Sequence, residues 1–364
     1  MYKIKTYNKI STKGLDRFSR DSYELSSDTA TPDAYVLRSH KLHGEAIPDS
    51  LMAVARAGAG VNNIPVDDYT AKGIVVFNTP GANANAVKEL VLTGMLLSSR
   101  GIVQGMNYAQ GLTTISDPAQ MHKQLEAEKK RFAGRELAGK TLGVVGLGAI
   151  GSMVAEMALS LDMKVLGYDP AISVEAAWRL PSQVEKMDNL PSLLARADYI
   201  TLHVPAIEPT YHLINNEALG HVKTGAVLLN FARETIVDPE AIVASLDAGR
   251  LGQYICDFPE PCLLGRDDVV TMPHIGASTA EAEENCAVMA ANQLIDFLEN
   301  GNIKNSVNFP AVSMARAGDA RITFANHNVA GVLGDVLSVF TTHQVNVIDM
   351  ICLLYTSPSP RDRG

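Results

Sequence analysis

The chain has 364 residues, of which 46% are hydrophobic and 20% are charged, so its length suits two domains and its composition is ordinary for a globular protein. Its 31 basic and 40 acidic side chains leave a formal net charge of −9, which argues against a nucleic acid or an anionic membrane as the main partner. A small anionic substrate is compatible with this total, because a pocket can be basic whatever the charge of the whole chain.

Short β-branched runs alternate with helical patterns along most of the chain, which predicts an α/β fold with parallel sheets. The first block, residues 1–98, opens with "MYKIKTYNKIS", whose alternating charged and apolar residues predict a strand and not a signal peptide. Strands are predicted at residues 2–5, 34–38, 51–55 and 74–78, and a helix runs on from Asn85. Residues 101–140 are rich in charge and poor in large apolar side chains, which predicts a connection over the surface.

The second block, residues 99–282, contains six predicted strands. They lie at "KTLGVVG", "MKVLGYD", "ADYITLHV", "AVLLNFA", "QYICD" and "VVTMPHIG". A helix over residues 279–300 leaves this block, and "NIKNSVNFP" is predicted to return to the first block within residues 283–308. No apolar run reaches the roughly 18 residues of a membrane span, so we expect no membrane partner.

The four cysteines have no spacing typical of a metal site. We therefore expect buried thiols without a disulfide, no bound metal, and a reducing cytoplasmic location.

A glycine motif follows the first strand of the second block. "VVGLGAIG" supplies Gly146, Gly148 and Gly151 in the GxGxxG spacing at the start of a helix. Gly146 permits a tight turn, Gly148 lets a pyrophosphate approach the backbone, and Gly151 lets the helix pack on the strand. The N–H groups of Ala149 and Ile150 are then placed to bind the phosphate charge. The motif predicts a dinucleotide site.

An acidic residue ends the next predicted strand. "GYDP" places Asp169 18 residues after Gly151, close to the spacing of the acid that binds an adenosine ribose. Its carboxylate would repel a 2′-phosphate, and no Arg or Lys follows it before Arg179. NAD is therefore predicted in preference to NADP.

Three further strand ends carry groups suited to hydride-transfer chemistry. Arg233 can hold a carboxylate through two hydrogen bonds, His274 can exchange the hydroxyl proton, and Asp257 can orient a histidine. Each has a structural alternative: Arg233 as a helix-capping charge, Asp257 as the start of a turn, and His274 as a core histidine. Their joint placement at strand ends of a dinucleotide domain favours catalysis.

Several motifs resemble a known family. "GLGAIG…YDP", "LHVP…T", "NFARETIVDPEAIVASLDAGRLG" and "PHIGAST" resemble the D-isomer-specific 2-hydroxyacid dehydrogenases over residues 1 to about 351. The resemblance implies a Rossmann-type NAD domain, a split flavodoxin-like substrate domain, and a homo-oligomer that is at least a dimer. "VARAGAGVNNIPV" and "FNTPGANANAVKELV" narrow it to members that oxidise 3-phospho-D-glycerate to 3-phosphohydroxypyruvate, the first step of L-serine biosynthesis. A dehydrogenase for another D-2-hydroxy acid and a non-catalytic NAD-sensing protein are the alternatives.

The resemblance also implies roles for individual residues. Arg233 would orient the substrate and His274 would carry the proton, with both also touching the cofactor. Further cofactor contacts are implied at His203, Val204, Pro205, Phe231, Ala232, Asp257 and Gly276. A substrate-anion cradle is implied at Arg56, Ala59, Gly60 and Asn83, although "RAGAG" is also compatible with a plain strand-to-turn junction.

Glu260, the third residue of the predicted catalytic set, departs from the family's usual spacing. The family usually carries a Glu-Pro pair whose Glu follows the strand-ending Asp by five positions and partners the catalytic His. Here Glu260 follows Asp257 by three positions. Either the shorter turn still brings Glu260 to His274, which we expect, or His274 works without that partner.

The last segment resembles the first half of an ACT domain, a small regulatory module. "HNVAGVLGDVLSVFTTHQVNVIDM" predicts a partial βαβ unit within residues 320–351, with effector positions at Asn328, Gly331 and Asn346. One βαβ half cannot cover its apolar sheet face, so we expect poor order and no response to serine. Residues 352–364 resemble a translated sequencing adapter and are predicted to be a non-native tail.

Overall fold

The structure, a computed structural model, describes residues 1–317, 320–326 and 329–352. It divides into two units. One is made of Met1–Asn83 and the chain from Thr279 onward, and the other of Ala84–Ser278. Asn328 and, apart from Cys352, the predicted non-native tail lie outside the described residues.

The N-terminal segment of the first unit forms a parallel sheet. Its elements are β1 (Tyr2–Thr6), α1 (Thr12–Leu15), β2 (Tyr23–Ser26), β3 (Ala34–Leu37), β4 (Ala53–Arg56), α2 (Val66–Ala71) and β5 (Val75–Phe77). The strand order is β2-β1-β3-β4-β5 with every pair parallel. This is the flavodoxin-like order, so the predicted fold class is confirmed for this unit.

The second unit contains a seven-stranded parallel sheet. Its elements are α3 (Ala84–Ser99), α4 (Ile102–Gly111), α5 (Pro118–Glu128), β6 (Thr141–Val145), α6 (Ala149–Ser160), β7 (Lys164–Tyr168), α7 (Val174–Trp178), β8 (Glu185–Lys186), α8 (Leu190–Arg196), β9 (Tyr199–Leu202), α9 (Asn216–Gly220), β10 (Ala226–Asn230), α10 (Pro239–Asp247), β11 (Leu251–Cys256) and β12 (Val269–Thr271). The strand order is β12-β11-β10-β9-β6-β7-β8. This is the Rossmann order with one strand added at the β11 edge, as the fold-class prediction required.

The predicted surface connection over residues 101–140 contains two helices, α4 and α5. Neither helix buries a residue. Asp117 begins α5 by accepting the N–H groups of Ala119 and Gln120, with Pro118 at the first helical position. These helices were missed because an exposed helix shows no apolar periodicity.

The chain returns to the first unit through α11 (Ala280–Asn300), which packs against β3, β4 and α1. Its buried face includes Cys286, Ala290 and Leu294. Beyond α11, the buried Asn308 accepts the Val76 N–H and donates to the Ile74 carbonyl. These bonds attach the return segment to the edge strand β5.

Each sheet has an apolar layer on both faces. In the second unit, α3 packs on α6, β10 and β11, and its Val91 and Met95 belong to the core on that face. This packing places residues 84–98 with the second unit, whereas the sequence-based division put them with the first block. Burial of one such side chain is worth about 1.5–3 kcal/mol.

The predicted partial ACT unit is not seen. Within the described parts of residues 320–352, the structure has the helix α12 (Val332–Thr342) but no strand. No residue of α12 is buried. Gly331 is the N-terminal cap of α12, with φ +98°, and Asn346 is exposed. One βαβ half offers at most two strands, and a sheet of two strands is marginally stable by itself.

All four cysteines are free, and Cys256 and Cys286 are buried as expected. Cys262 and Cys352 are exposed, so the prediction of buried thiols is wrong for these two. No helix in the described part of the chain is long and apolar enough to cross a membrane.

Candidate active site

Six strands of the second sheet end in one continuous register row. The row consists of Tyr168 of β7, Val145 of β6, Leu202 of β9, Asn230 of β10, Cys256 of β11 and Thr271 of β12. Within three residues of this row follow Asp169, Gly146, His203, Arg233, Asp257 and His274. The parallel register therefore delivers the predicted residues of this unit to one edge of the sheet, the carboxyl edge at which α/β proteins bind ligands.

The glycine loop between β6 and α6 leaves space where a dinucleotide needs it. Gly146 has φ +90°, and a Cβ there would lie 2.5 Å from the carbonyl oxygen of His203. A Cβ on Gly151 would overlap the carbonyl oxygen of Gly146. A Cβ on Gly148 would meet no atom within 4 Å. Two glycines thus permit close packing of the turn, and the third faces open space that suits a pyrophosphate.

Asp169 is tied to this loop. Its carboxylate accepts the N–H of Leu147 at 2.8 Å and the N–H of Ala171 at 3.0 Å. α6 begins at Ala149, so the N–H groups of Ala149 and Ile150 belong to a first turn that lacks intrahelical acceptors. The residues present fit NAD: backbone donors for the phosphates and a fixed carboxylate for a ribose.

His203 is an uncharged part of the same edge. Its N–H binds the Val145 carbonyl at 2.7 Å, and its Nε2 lies 3.0 Å from Oγ1 of Thr201. Burial lowers the pKa of His203 to about 3, so the ring is neutral at physiological pH. Val204 is half-buried and Pro205 is exposed. A ring with so low a pKa does not hold a proton near neutral pH, so His203 is poorly suited to carry the substrate's proton.

The loop after β10 carries Arg233. Phe231 is buried in the core beside α3, and a Cβ on Gly94 would lie 2.9 Å from its ring. The guanidinium of Arg233 donates from Nη1 to the Ala232 carbonyl at 2.6 Å. Arg233 has extended backbone angles and precedes a short 3₁₀ helix, Glu234–Ile236.

Asn230, which was not predicted from the sequence, holds this loop through its side-chain amide. Its Oδ1 accepts the Ala232 N–H at 3.1 Å, and its Nδ2 donates to the Arg233 carbonyl at 2.9 Å. The available signal was an amide side chain at the end of the apolar run "AVLLN".

Asp257 organises the loop that carries His274. It is 1% exposed. Its carboxylate accepts the N–H groups of Ile275 at 2.8 Å and Gly276 at 2.7 Å, and its carbonyl accepts the His274 N–H at 3.0 Å. A Cβ on Gly276 would lie 3.0 Å from Oδ2 of Asp257. His274 itself has φ +55°, a left-handed conformation that costs a non-glycine residue energy unless its surroundings impose it.

Glu260 is not joined to His274 in the described structure. Its backbone begins the 3₁₀ helix Pro261–Leu263, and no hydrogen bond or ion pair links its carboxylate to the imidazole within the described residues. The His274 ring instead lies against Phe258, with centroids 4.8 Å apart. Burial raises the pKa of the Cys256 thiol to about 11, and the nearby charge of Glu260 adds to this shift. The structure therefore does not bring Glu260 to His274, in contrast to the expectation from the sequence, because the shortened turn leaves Phe258 beside the imidazole.

The first unit has its own cluster at a strand end. Arg56 ends β4; its Nε donates to the Arg38 carbonyl at 2.9 Å and its Nη1 to the Gly60 carbonyl at 2.5 Å. The Ala59 carbonyl accepts from Asn78 at 2.7 Å. A Cβ on Gly58 would lie 2.6 Å from Nη1 of Arg56. The "RAGAG" loop therefore contacts the guanidinium of Arg56 closely. A plain strand-to-turn junction would not require these contacts.

Of two other residues of the first unit, Arg38 is joined to this cluster through its carbonyl, which accepts from Arg56, whereas no hydrogen bond joins Asn83 to it within the described residues. Asn83 is half-buried immediately before α3. Arg38 follows β3, and its guanidinium forms a 2.5 Å ion pair with Glu283. The sequence reasoning missed Arg38, although an arginine directly after the apolar run "AYVL" repeats the pattern by which Arg56 ends "AVAR".

The two sheets, the glycine loop with Asp169, and the basic and imidazole groups at strand ends define an α/β protein of the dinucleotide-binding class. Residues 106–276 match the family model described as D-isomer specific 2-hydroxyacid dehydrogenase, NAD binding domain. A hydroxypyruvate reductase from Thermotoga maritima is 40% identical over 248 residues, which cover 66% of this chain and 75% of that protein. The chain belongs to the D-isomer specific 2-hydroxyacid dehydrogenase family and contains its NAD-binding domain.

Two further relatives carry a more specific name. A D-3-phosphoglycerate dehydrogenase from Methanocaldococcus jannaschii is 35% identical over 337 residues, which cover 90% of this chain but 61% of that protein. The solved structure of NAD⁺-bound 3-phosphoglycerate dehydrogenase from Entamoeba histolytica has a TM-score of 0.65 and 26% identity, and covers 85% of this chain and 99% of that one. The chain thus spans about three fifths of the archaeal relative's length.

Proposed function

We propose that the protein oxidises 3-phospho-D-glycerate to 3-phosphohydroxypyruvate with NAD, the first step of L-serine biosynthesis. The observation that carries this proposal is the arrival of Arg233, Asp257 and His274 from three consecutive parallel strands at one sheet edge. The names of the archaeal and Entamoeba relatives support the choice of substrate.

The proposed chemistry divides between two side chains. Arg233 has a planar fork of N–H donors that suits a substrate carboxylate and polarises the adjacent oxygen. His274 receives the proton of the substrate hydroxyl and returns it in the reverse direction, which is the usual role of an imidazole near neutral pH. The chemistry that bound NAD would supply is that of a hydride acceptor for the hydroxyl-bearing carbon. Gly146, Gly148, Gly151 and Asp169 would hold NAD.

In the first unit, we assign the cluster around Arg56 to the substrate's anionic groups. Arg56 supplies a positive charge at the end of β4, where its Nη1 donates to the Gly60 carbonyl. The N–H groups of Ala59 and Gly60 are the backbone donors that this proposal assigns to the anion. Asn83 adds an amide at the end of the same segment. A guanidinium with neighbouring backbone N–H groups suits a phosphate or a carboxylate.

A second candidate is the turnover of a different D-2-hydroxy acid. The relative from Thermotoga maritima, which is named a hydroxypyruvate reductase, is 40% identical. The two candidates share cofactor, Arg233 and His274, and differ in whether the substrate carries a phosphate.

The deciding assay follows the absorbance of reduced nicotinamide while 3-phosphohydroxypyruvate, hydroxypyruvate, glyoxylate and pyruvate are supplied in turn. The proposal expects the highest kcat/KM with 3-phosphohydroxypyruvate, and Arg56→Gln should remove that preference while leaving hydroxypyruvate turnover largely intact. Higher kcat/KM with hydroxypyruvate would establish the second candidate, and no turnover of any acid would overturn both.

We also propose that the protein is a homo-oligomer, at least a dimer, on the strength of the family resemblance alone, and that it is cytoplasmic because its cysteines are free thiols. Light scattering during size-exclusion chromatography measures the assembly directly, and a single monomer mass at micromolar concentration would exclude it.

A further inference from the structure

Asn230 is the point at which the two predicted catalytic segments meet in the hydrogen-bond network. It is 0% exposed and ends the interior strand β10. Its main-chain carbonyl accepts the N–H of Asp257 at 3.1 Å. Its side chain accepts from Ala232 at 3.1 Å and donates to the Arg233 carbonyl at 2.9 Å. The residue therefore contacts the segment of Arg233 through its amide and the segment of His274 through its backbone.

The surroundings of Asn230 fix the orientation of its amide. The Ala232 N–H can only donate, so it requires the side-chain oxygen, and the Arg233 carbonyl can only accept, so it requires the side-chain nitrogen. The nitrogen also lies 3.3 Å from the Tyr254 hydroxyl. An amide with both ends bound in a fully buried position is rigid, and loss of either end leaves a buried polar group without its partner.

The network continues from Asp257 to His274. Asp257 binds the N–H groups of His274, Ile275 and Gly276 through its carbonyl and its carboxylate. The path from Arg233 through Asn230 and Asp257 to His274 thus consists of main-chain groups held by two buried polar side chains. No bond in this path involves the Arg233 guanidinium or the His274 imidazole. The path therefore leaves both side chains available for the proposed chemistry.

We propose that Asn230 is a positioning residue, which sets the backbone that carries Arg233 relative to the backbone that carries His274. The inference rests on the proposed dehydrogenase chemistry. Hydride transfer from a hydroxy acid needs its carboxylate and its hydroxyl proton bound at the same time, and a displacement of about 1 Å between two such groups costs on the order of 100-fold in rate. Asn230 acts through Arg233 and touches neither substrate nor cofactor.

The first test compares three variants. Asn230→Ala removes both side-chain bonds, and Asn230→Asp keeps the acceptor for Ala232 but presents an oxygen to the Arg233 carbonyl. Tyr254→Phe is the matched control, because it removes a buried polar partner of Asn230 and leaves both bonds to the Arg233 loop. We expect kcat to fall roughly 10- to 100-fold in both Asn230 variants, a larger factor than any rise in the Kd of NADH, with Tyr254→Phe within about twofold of wild type.

A double-mutant cycle separates positioning from general destabilisation. If Asn230 acts through Arg233, Asn230→Ala has little further effect on kcat/KM in an Arg233→Lys background. A purely structural role would lower kcat/KM by the same factor in both backgrounds, and that additive result would overturn the proposal.

A third measurement does not depend on turnover. Amide hydrogen exchange of residues 231–236 should accelerate in Asn230→Ala, while exchange in β7 stays as in wild type. If the wild-type protein turns over no 2-hydroxy acid, the proposed function fails and this measurement still decides the role of Asn230. Unchanged exchange at Ala232 would overturn the positioning role even in an active enzyme.

Discussion

Asp257 and His274 are linked through backbone and not through a pair of side chains: the Asp257 carbonyl accepts the His274 N–H at 3.0 Å. The carboxylate of Asp257 is occupied by the next two N–H groups, those of Ile275 and Gly276. The carboxylate therefore imposes the left-handed backbone of His274, whose φ is +55°. In this structure Asp257 shapes the loop of His274, the residue that we propose as the proton carrier.

This relationship predicts the effect of Asp257→Asn. The new amide group has to face one of two N–H donors, so one bond is lost and a buried N–H loses its partner. We expect the free energy of unfolding to fall by about 1–3 kcal/mol and kcat to fall more than the affinity for NADH. Stopped-flow turnover and NADH titration measure the two effects. Asp247→Asn is the control, since it makes the same change in an exposed ion pair with Arg266, and equal losses in both variants would contradict the assignment.

A change of glycine to alanine is predicted to have different effects at two positions of the glycine loop, Gly146 and Gly148. Gly146→Ala puts a Cβ 2.5 Å from the His203 carbonyl at a φ of +90°, so it should reduce stability by about 1–3 kcal/mol as well as weaken NADH binding. Gly148→Ala meets no protein atom within 4 Å, so it should fold as well as wild type and lose NADH affinity alone.

Thermal unfolding and NADH titration of both variants test this distinction. Gly220→Ala, in a helix where a Cβ also has open space, should change neither property. Full NADH affinity in Gly148→Ala would show that the open space beside Gly148 is not the pyrophosphate site.

His203 predicts a stability loss in acid. Burial lowers its pKa to about 3 in the folded chain, whereas an unfolded histidine titrates near 6.5. Its contribution to stability is complete above about pH 6.5 and is lost as the pH falls from 6.5 towards 3, because the unfolded chain binds the proton first. At pH 5 the loss is about 1–2 kcal/mol. Chemical denaturation of wild type and His203→Gln at pH 7 and pH 5 isolates it, and an equal acid loss in both proteins would refute it.

The parts of the fold that the sequence predicted are those in which burial follows a local pattern. The apolar strands of both sheets and the glycine turn of Gly146 lie where the patterns placed them. The strand β8 (Glu185–Lys186) was missed because both of its residues are exposed at the sheet edge. The edge strand β2 (Tyr23–Ser26) was also missed, since only Tyr23 of its four residues is buried. The helical pattern of α3 was recognised, but periodicity does not reveal which sheet a helix packs on. Its packing on β10 and β11 depends on contacts distant in sequence.

The site shows the same division. The roles of Arg233 and His274 stay predictions, but their positions after strand ends were predictable from the apolar runs that precede them. Asn230 and the clamping role of Asp257 were not, since both residues bind main-chain groups of loops whose conformation no local pattern specifies. A side chain that binds main-chain groups cannot be recognised from the sequence, because every residue has an N–H or a carbonyl. A side chain that binds another side chain needs a partner of a particular residue type, which the sequence does show.

Glu260 provides the last prediction, because the structure gives His274 other neighbours. The imidazole lies against Phe258 and its backbone is bound to Asp257, while Glu260 begins a 3₁₀ helix just after a turn two residues shorter than the family's usual one. We therefore expect Glu260→Gln to retain kcat within roughly threefold, far less than the 10²–10⁴-fold that a general acid–base group contributes. The pH profile of kcat/KM should stay in place, and His274→Gln provides the comparison for full loss of proton transfer. A profile displaced by a pH unit or more in Glu260→Gln would show that the carboxylate reaches His274 when substrate is bound, and that the contacts seen here rearrange on binding.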